Sequence, residues 1–292
     1  MRKKCIKKDN DKRDQKKFKK IFLSNKKDYI FKPKELLRVR NNVFIGSLPK
    51  MTNSKIIFNG KNNILFCGEN VCLEDYILNF ECNNSIIYLS SNKHKYKIKV
   101  DIRNNSVFYI GENCYFNNLT SIYLLEQKNI IIGSNCLFSI NIFMCTADLH
   151  LIYDINTHKR INLSKSIYVG DHVWIGQDTL ILKGTNIGSG TVIGARSLVS
   201  NKKLNSNNIY AGNKLRLIKG NIFWDGKCVH KWTNSTTEKY MFELDDKYIF
   251  KKNKINNFDI IENNLNNLVT SDEKFKYINS KMKTKDENRF SI

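Results

Sequence analysis

Residues 169–204, broken every six, read VGDHVW, IGQDTL, ILKGTN, IGSGTV, IGARSL and VSNKKL. An aliphatic residue opens each block: Val169, Ile175, Ile181, Ile187, Ile193 and Val199. Gly follows it at Gly170, Gly176, Gly188 and Gly194. A small or β-branched residue stands four places on, at Val173, Thr179, Thr185, Thr191 and Ser197. Weaker copies lie upstream: CGENVCL at 67–73, IGENCYF at 110–116 and IGSNCLF at 132–138.

An α-helix needs apolar spacings of three and four, which 169–199 lacks. A β-sandwich spaces its turn signals by roughly 8–12 residues. A period of six fits a triangular coil made of three short strands and three tight corners. The aliphatic residue points inward, and Gly or a small residue turns the corner without steric cost. Such coils are stable only when stacked on one another. The expected fold is therefore all-β: a left-handed parallel β-helix over residues 41–220, with the surest prism at roughly 60–215.

The frame does not run back to Ile132 or Phe138; it slips by one between Met144 and Leu163. Residues 145–163 read as a polar loop leaving the prism, and 91–99 as a second hydrophilic excursion. Residues 235–292 show weak helical periodicity, and 221–292 read as a non-repeat C-terminal extension.

The chain has 292 residues and a formal charge of +22. Residues 1–40 hold 17 Lys or Arg against 5 Asp or Glu, a basic arm that reads as solvated and partly disordered. Peripheral contact with an anionic membrane is the functional alternative. No nucleic-acid-binding signature accompanies the charge, so no nucleic acid is expected. Eight Cys without a C-x-x-C pair read as reduced packing groups. No secretory signal and no long apolar run is visible, which points to a cytoplasmic chain. Lys, Asn and Ile are abundant, read in part as codon bias.

His150 stands out in the loop, in Asp148-Leu149-His150. Transfer of an acyl group to a hydroxyl needs a general base, and imidazole suits that role near neutral pH. Asp148 or Asp154 would orient the ring. Alone, Asp-x-His is a weak signal, and a surface His beside an acid is the better reading; its place in a loop inserted in the prism favours the catalytic one.

The stretch from Thr146 to Gly184 resembles hexapeptide-repeat O-acetyltransferases, most of all those that acetylate sialic-acid-containing capsules. The matching elements are Asp148-x-His150, Ile152-Tyr153, Arg160-Ile161-Asn162 and the run from Gly170 to Gly184, continued by AGNKLRLIKGNIFW at 211–224. The resemblance covers about residues 105–232 and implies an acetyl-CoA-dependent O-acetyltransferase of a surface polysaccharide. It implies a homotrimer with acetyl-CoA between adjacent prisms, a catalytic His150, and Trp174 in the same site. Trp174 would face outward, opposite to Val173, and would need a subunit interface to cover it. A backbone N–H or the Trp174 indole N–H would meet the developing oxyanion. Gly176, Gly194 and Ala195 would let the pantetheine arm approach, and Lys202, Arg216 and Lys219 would face the phosphates. The chain departs from the family at Gly212-Asn213-Lys214-Leu215, where a Pro is usual, and at Asn201, where a Lys is common.

Three rival readings stand beside this one. The acceptor could be small: a free sugar, an antibiotic or serine. His150, His158 and His172 invite comparison with zinc carbonic anhydrases on β-helices, yet no H-x₄-H pair is present and no metal is expected. The third is a non-catalytic scaffold.

Overall fold

Val169, Ile175, Ile181, Ile187, Ile193 and Val199 are fully buried, so the six-residue period marks the inward column of a prism. The computed structural model describes residues 27–252, 257–282 and 288–292. In them the chain winds into a β-solenoid with three faces, visited in the order 1, 2, 3 on each turn. Face 1 is an eight-stranded parallel sheet from Val43–Gly46 to Lys203–Leu204. Face 2 begins with the pair Lys50–Thr52 and Cys72–Glu74, then continues as a six-stranded sheet from Tyr115–Phe116 to Arg216–Lys219. Face 3 stacks parallel strands from Lys55–Phe58 to Leu198–Val199 and gains Asp28–Ile30, antiparallel, at its start.

The early turns are longer than hexapeptides allow. Val43 lies opposite Ile64 and Ile64 opposite Ile86, so these turns take 21 and 22 residues. Tyr168 lies opposite Asn186 and Ile187 opposite Leu204, so the late turns take 18 and 17. The weak copies upstream fall at one place on the prism: Cys67 pairs with Leu89, Leu89 with Ile110, Ile110 with Ile132, and Ile132 with Val169. Ile130 lies opposite Ile167, a turn of 37 residues. The surplus forms the loop between Ile142–Cys145 and Ile167–Val169.

The corners account for part of the Asn. Of 19 non-glycine residues with positive φ among those described, 12 are Asn. They recur turn by turn, as at Asn41, Asn62, Asn84 and Asn105, or Asn113, Asn135 and then His172. Asn tolerates the left-handed region better than other side chains. So the Asn bias has a structural component beyond codon usage. Gly serves stacking: a Cβ on Gly170 would lie 2.6 Å from the Ser189 amide nitrogen of the next turn. The buried hydroxyls of the fifth places bond to backbone carbonyls, Thr179 to Gly176 at 2.7 Å and Ser197 to Gly194 at 2.7 Å, which makes a polar atom tolerable in the prism.

Two expectations need correction. Residues 91–99 do not leave the prism: Tyr96 is fully buried, bridges Leu73 and donates its hydroxyl to the Ser90 carbonyl at 2.7 Å. The basic arm does not extend to residue 40. Residues 1–26 lie outside the described residues, but Ile30 and Leu36, in a strand and a 3-10 helix, are buried in the prism core and cap its open end. The C-terminal extension carries two well-formed helices, Asn257–Asn267 and Ser271–Lys281. They lay Phe258, Ile261, Leu265 and Ile278 on the outward side chains Tyr88, Tyr109 and Tyr168 of face 1. The buried pair Arg289–Asp171, at 2.7 Å, fastens this cover to the corner between faces 1 and 2. The seven described Cys are free, and Cys67, Cys114, Cys136 and Cys145 are buried.

Candidate active site

The loop that leaves the corner between faces 3 and 1 folds back on itself through a bridge between Tyr153 and Arg160. Its tip is built by Asp154, whose carboxylate accepts from the Asn156 and Thr157 amides at 3.0 and 2.7 Å. Its base is clamped to the prism by Arg160, which donates to both oxygens of Glu126 at 2.6 and 2.8 Å. Ser164 donates to the same carboxylate. These bonds hold the Glu126 carboxyl down to about 2, Arg160 contributing most and Ser164 next. The loop is not polar on its outside: Leu149 and Ile155 are 75% and 85% exposed, and Leu151, Ile152, Tyr153, Ile161 and Leu163 are also exposed.

His150 is exposed on this loop. Its backbone carbonyl accepts the Asn162 side-chain amide at 2.7 Å. Neither candidate acid is bonded to the imidazole. Asp148 binds Lys183 Nζ at 2.5 Å and Asn162 Nδ2 at 3.1 Å, and Lys183 chiefly holds its carboxyl below the usual range. Asp154 is consumed by the turn at the tip. Asp148 therefore anchors the loop to the next turn of the prism, where a triad role would need it on the ring. Lys183 and Asn162 complete this anchor and are positions that single-residue reading passes over; Asn162 lay inside a matched element, but nothing in its neighbours revealed what it holds.

Trp174 sits on face 2 in the strand Trp174–Ile175, flanked by Leu137 and Val192 on adjoining turns. It points outward with 39% exposure, while Val173 and Ile175 are buried, as the pleat requires. Its indole N–H donates to Ser139 Oγ at 3.3 Å. Gly176 and Gly194 occupy the corner between faces 2 and 3, on successive turns. Gly176 is buried, and a Cβ there would lie 2.5 Å from the Ala195 amide nitrogen. That glycine is demanded by coil stacking. Ala195 is exposed above it. Arg216 and Lys219 are exposed in the final strand, which runs antiparallel to Ile209–Ala211. The turn between them, entered by Gly212 at φ +103, closes without the Pro. Lys202 lies on the same corner as the His150 loop, between Leu198–Val199 and Lys203–Leu204.

The candidates thus fall into two groups. Asp148, His150, Asn162, Lys183 and Lys202 stand at the corner of faces 3 and 1. Trp174, Gly176, Gly194, Ala195, Arg216 and Lys219 stand on face 2 or at its corner with face 3. His158 is in the loop tip with φ +53. His172 is buried elsewhere, stacked between Trp224 and Tyr248 at 3.9 and 3.7 Å. Among the described residues no group of three His, Cys, Asp or Glu side chains is placed to hold a metal. No described helix is long and apolar enough to cross a membrane.

No protein-family model matches the chain, and no curated protein does. Solved structures do. The polySia-specific acetyltransferase NeuO is 29% identical, with a TM-score of 0.57, over 68% of this chain and 93% of that one. The polysialic acid O-acetyltransferase OatWY shares the fold at 23% identity and a TM-score of 0.58, over 70% of this chain and 97% of that one. Stacked parallel coils and these neighbours define a hexapeptide-repeat acyltransferase. Within that class the chain is of the O-acetyltransferase type.

Proposed function

We propose that this enzyme transfers an acetyl group from acetyl-CoA to a sugar hydroxyl of a bacterial surface polysaccharide, a sialic-acid-containing capsule being the acceptor suggested by the substrate of NeuO. The observation that carries the reading is the division of the candidate residues between two different edges of one prism. A reaction centre with both His150 and Trp174 needs the His150 edge of one copy against face 2 of another. The exposed apolar side chains of the loop fit such a contact, since large exposed apolar patches mark interfaces. A closed ring of three copies satisfies every edge.

In that assembly His150 takes the proton of the acceptor hydroxyl as its oxygen attacks the acetyl carbon, and returns it to the departing sulfur. With the Trp174 N–H bonded to Ser139, a backbone amide is the better donor to the oxyanion. The donor lies along the later turns, past Gly176, Gly194 and Ala195, with its phosphates toward Lys202, Arg216 and Lys219.

The test is complementation. His150→Ala should lower turnover by about 10²–10⁴-fold with acetyl-CoA affinity retained. Co-assembly of equal amounts of His150→Ala and Trp174→Ala chains should restore about a quarter of the wild-type sites, because a quarter of the interfaces draw both intact residues. No restoration in mixed oligomers means that the site lies within one chain, and full activity of a monomer by light scattering would refute the assembly.

A further inference from the structure

Trp224 belongs to no prism strand, yet its ring, N–H and carbonyl are all engaged by His172. One side of its indole lies on the His172 ring, with centroids 3.9 Å apart and planes within 9°. Its N–H donates to the His172 carbonyl at 3.0 Å, and its own carbonyl meets His172 Nε2 at 2.8 Å. Tyr248 closes the other side of the imidazole at 3.7 Å. The corner that presents His172 has φ +53, and a stack of three rings behind the indole resists displacement.

This anchored indole stands against Trp174, with centroids 5.8 Å apart and planes inclined at 46°. Trp174 is 39% exposed and Trp224 is half-buried. Both indoles have already spent their single donor, on Ser139 and on His172. What the pair offers to a ligand is therefore aromatic surface on two inclined walls, without a hydrogen bond. Such surface suits the apolar face of a sugar ring, and it leaves the sugar's hydroxyls free for other partners.

We infer that Trp224 is the second wall of the acceptor subsite and stacks, with Trp174, on a pyranose ring of the acceptor glycan. The assignment rests on the acetyltransferase reading above. It makes the C-terminal extension a determinant of acceptor choice, because Trp224 and Tyr248 both lie beyond the last strand of the prism.

The experiment uses the full chain, acetyl-CoA and polysialic acid oligomers as the acceptor probe. Trp224→Ala should raise the acceptor KM by about 10-fold, with the acetyl-CoA KM unchanged, and Trp224→Phe, which keeps a flat ring, should recover most of it. Near-ultraviolet circular dichroism reports the pair itself: a coupled indole signal should vanish in Trp224→Phe and in Trp174→Phe alike. Loss of that signal with an unaltered acceptor KM in Trp224→Ala would overturn the subsite, as would an equal rise in both KM values, which marks a merely structural role. Failure of the underlying reading looks different: the wild-type chain acetylates no oligomer, or His150→Ala keeps wild-type turnover, and the subsite falls with it.

Discussion

Asn162 donates its side-chain amide to the backbone carbonyl of His150 at 2.7 Å and to the Asp148 carboxylate at 3.1 Å. Its amide oxygen accepts the Ile152 N–H at 3.0 Å. One buried side chain thus ties the His150 and Ile152 backbone to the Asp148 side chain around the candidate base. Asn162→Ala should cut turnover by about 10- to 100-fold, the scale of a small misplacement of a reacting group, with a lesser effect on acetyl-CoA binding. Asn162→Asp should be worse, because it sets a second carboxylate beside Asp148. Steady-state kinetics with hydrogen exchange over 146–166 check this; a wild-type rate from Asn162→Ala would show that the loop holds His150 without it.

The Glu126–Arg160 clamp makes a pH prediction. The Glu126 carboxyl is depressed to about 2, so its contribution is present above the ordinary carboxyl range, near 4.3, and is lost as pH falls from there through about 2. The loop should therefore stay anchored in mild acid. Glu126→Gln removes the charge at every pH and should raise hydrogen exchange in 146–166 already at neutrality, with the prism strands unaffected. Equal exchange in mutant and wild type at pH 7 would mean that the clamp does not hold the loop.

The late turns were legible because each corner there is short and the inward residue recurs at six. The early turns were not, because their extra residues sit in corners and carry no hydropathy signal. The repeats at 67, 110 and 132 nevertheless mark one place on the prism, two turns and then one turn apart, and their distances of 43 and 22 were the available clue. The loop read as polar from its charged residues, while its Leu and Ile side chains prove to face outward. Trp174 was placed correctly by alternation alone. Trp224 and Lys183 were out of reach, since what they touch lies 50 and 35 residues away along the chain. The helical cover on face 1 was hidden because its helices are short and rich in Asn and Lys, and their few apolar residues gain meaning only against the outward tyrosines.

His172 links acidity to the C-terminal strap. Burial holds its imidazole below the usual range, against the opposing bond to the Trp224 carbonyl. The neutral ring is thus the one the fold prefers. Its contribution is complete above about pH 6.5, the unfolded value, and is lost as pH falls from there toward the lowered folded value. Protection of backbone amides in 221–250, taken relative to the intrinsic exchange rate at each pH, should fall between pH 7 and 5. His172→Asn keeps a residue suited to the left-handed corner and removes the titration, so the loss of protection should disappear in that variant. If it persists, another group is responsible.

The corner ladder gives the last prediction. Asn113 has φ +56 and stands on successive turns with Asn135 and His172. Among the described residues its side chain has no hydrogen bond, unlike Asn84 or Asn105, whose amides bond across the turns at 2.6 and 2.9 Å. What Asn113 supplies is tolerance of the left-handed backbone. An Ala at such a position costs roughly 1–2 kcal/mol, because its Cβ crowds the following carbonyl. Gly has no Cβ and adopts the conformation freely, at the expense of greater freedom in the unfolded chain. Asn113→Ala should therefore lower the thermal midpoint clearly, while Asn113→Gly should leave it nearly unchanged. The same pair of substitutions at Asn105 should both destabilise, since each removes the bond to Gln127 as well. Equal loss from Ala and Gly at Asn113 would mean that its side chain makes a contact the backbone argument omits, and the conformational account of the Asn-rich corners would need replacing.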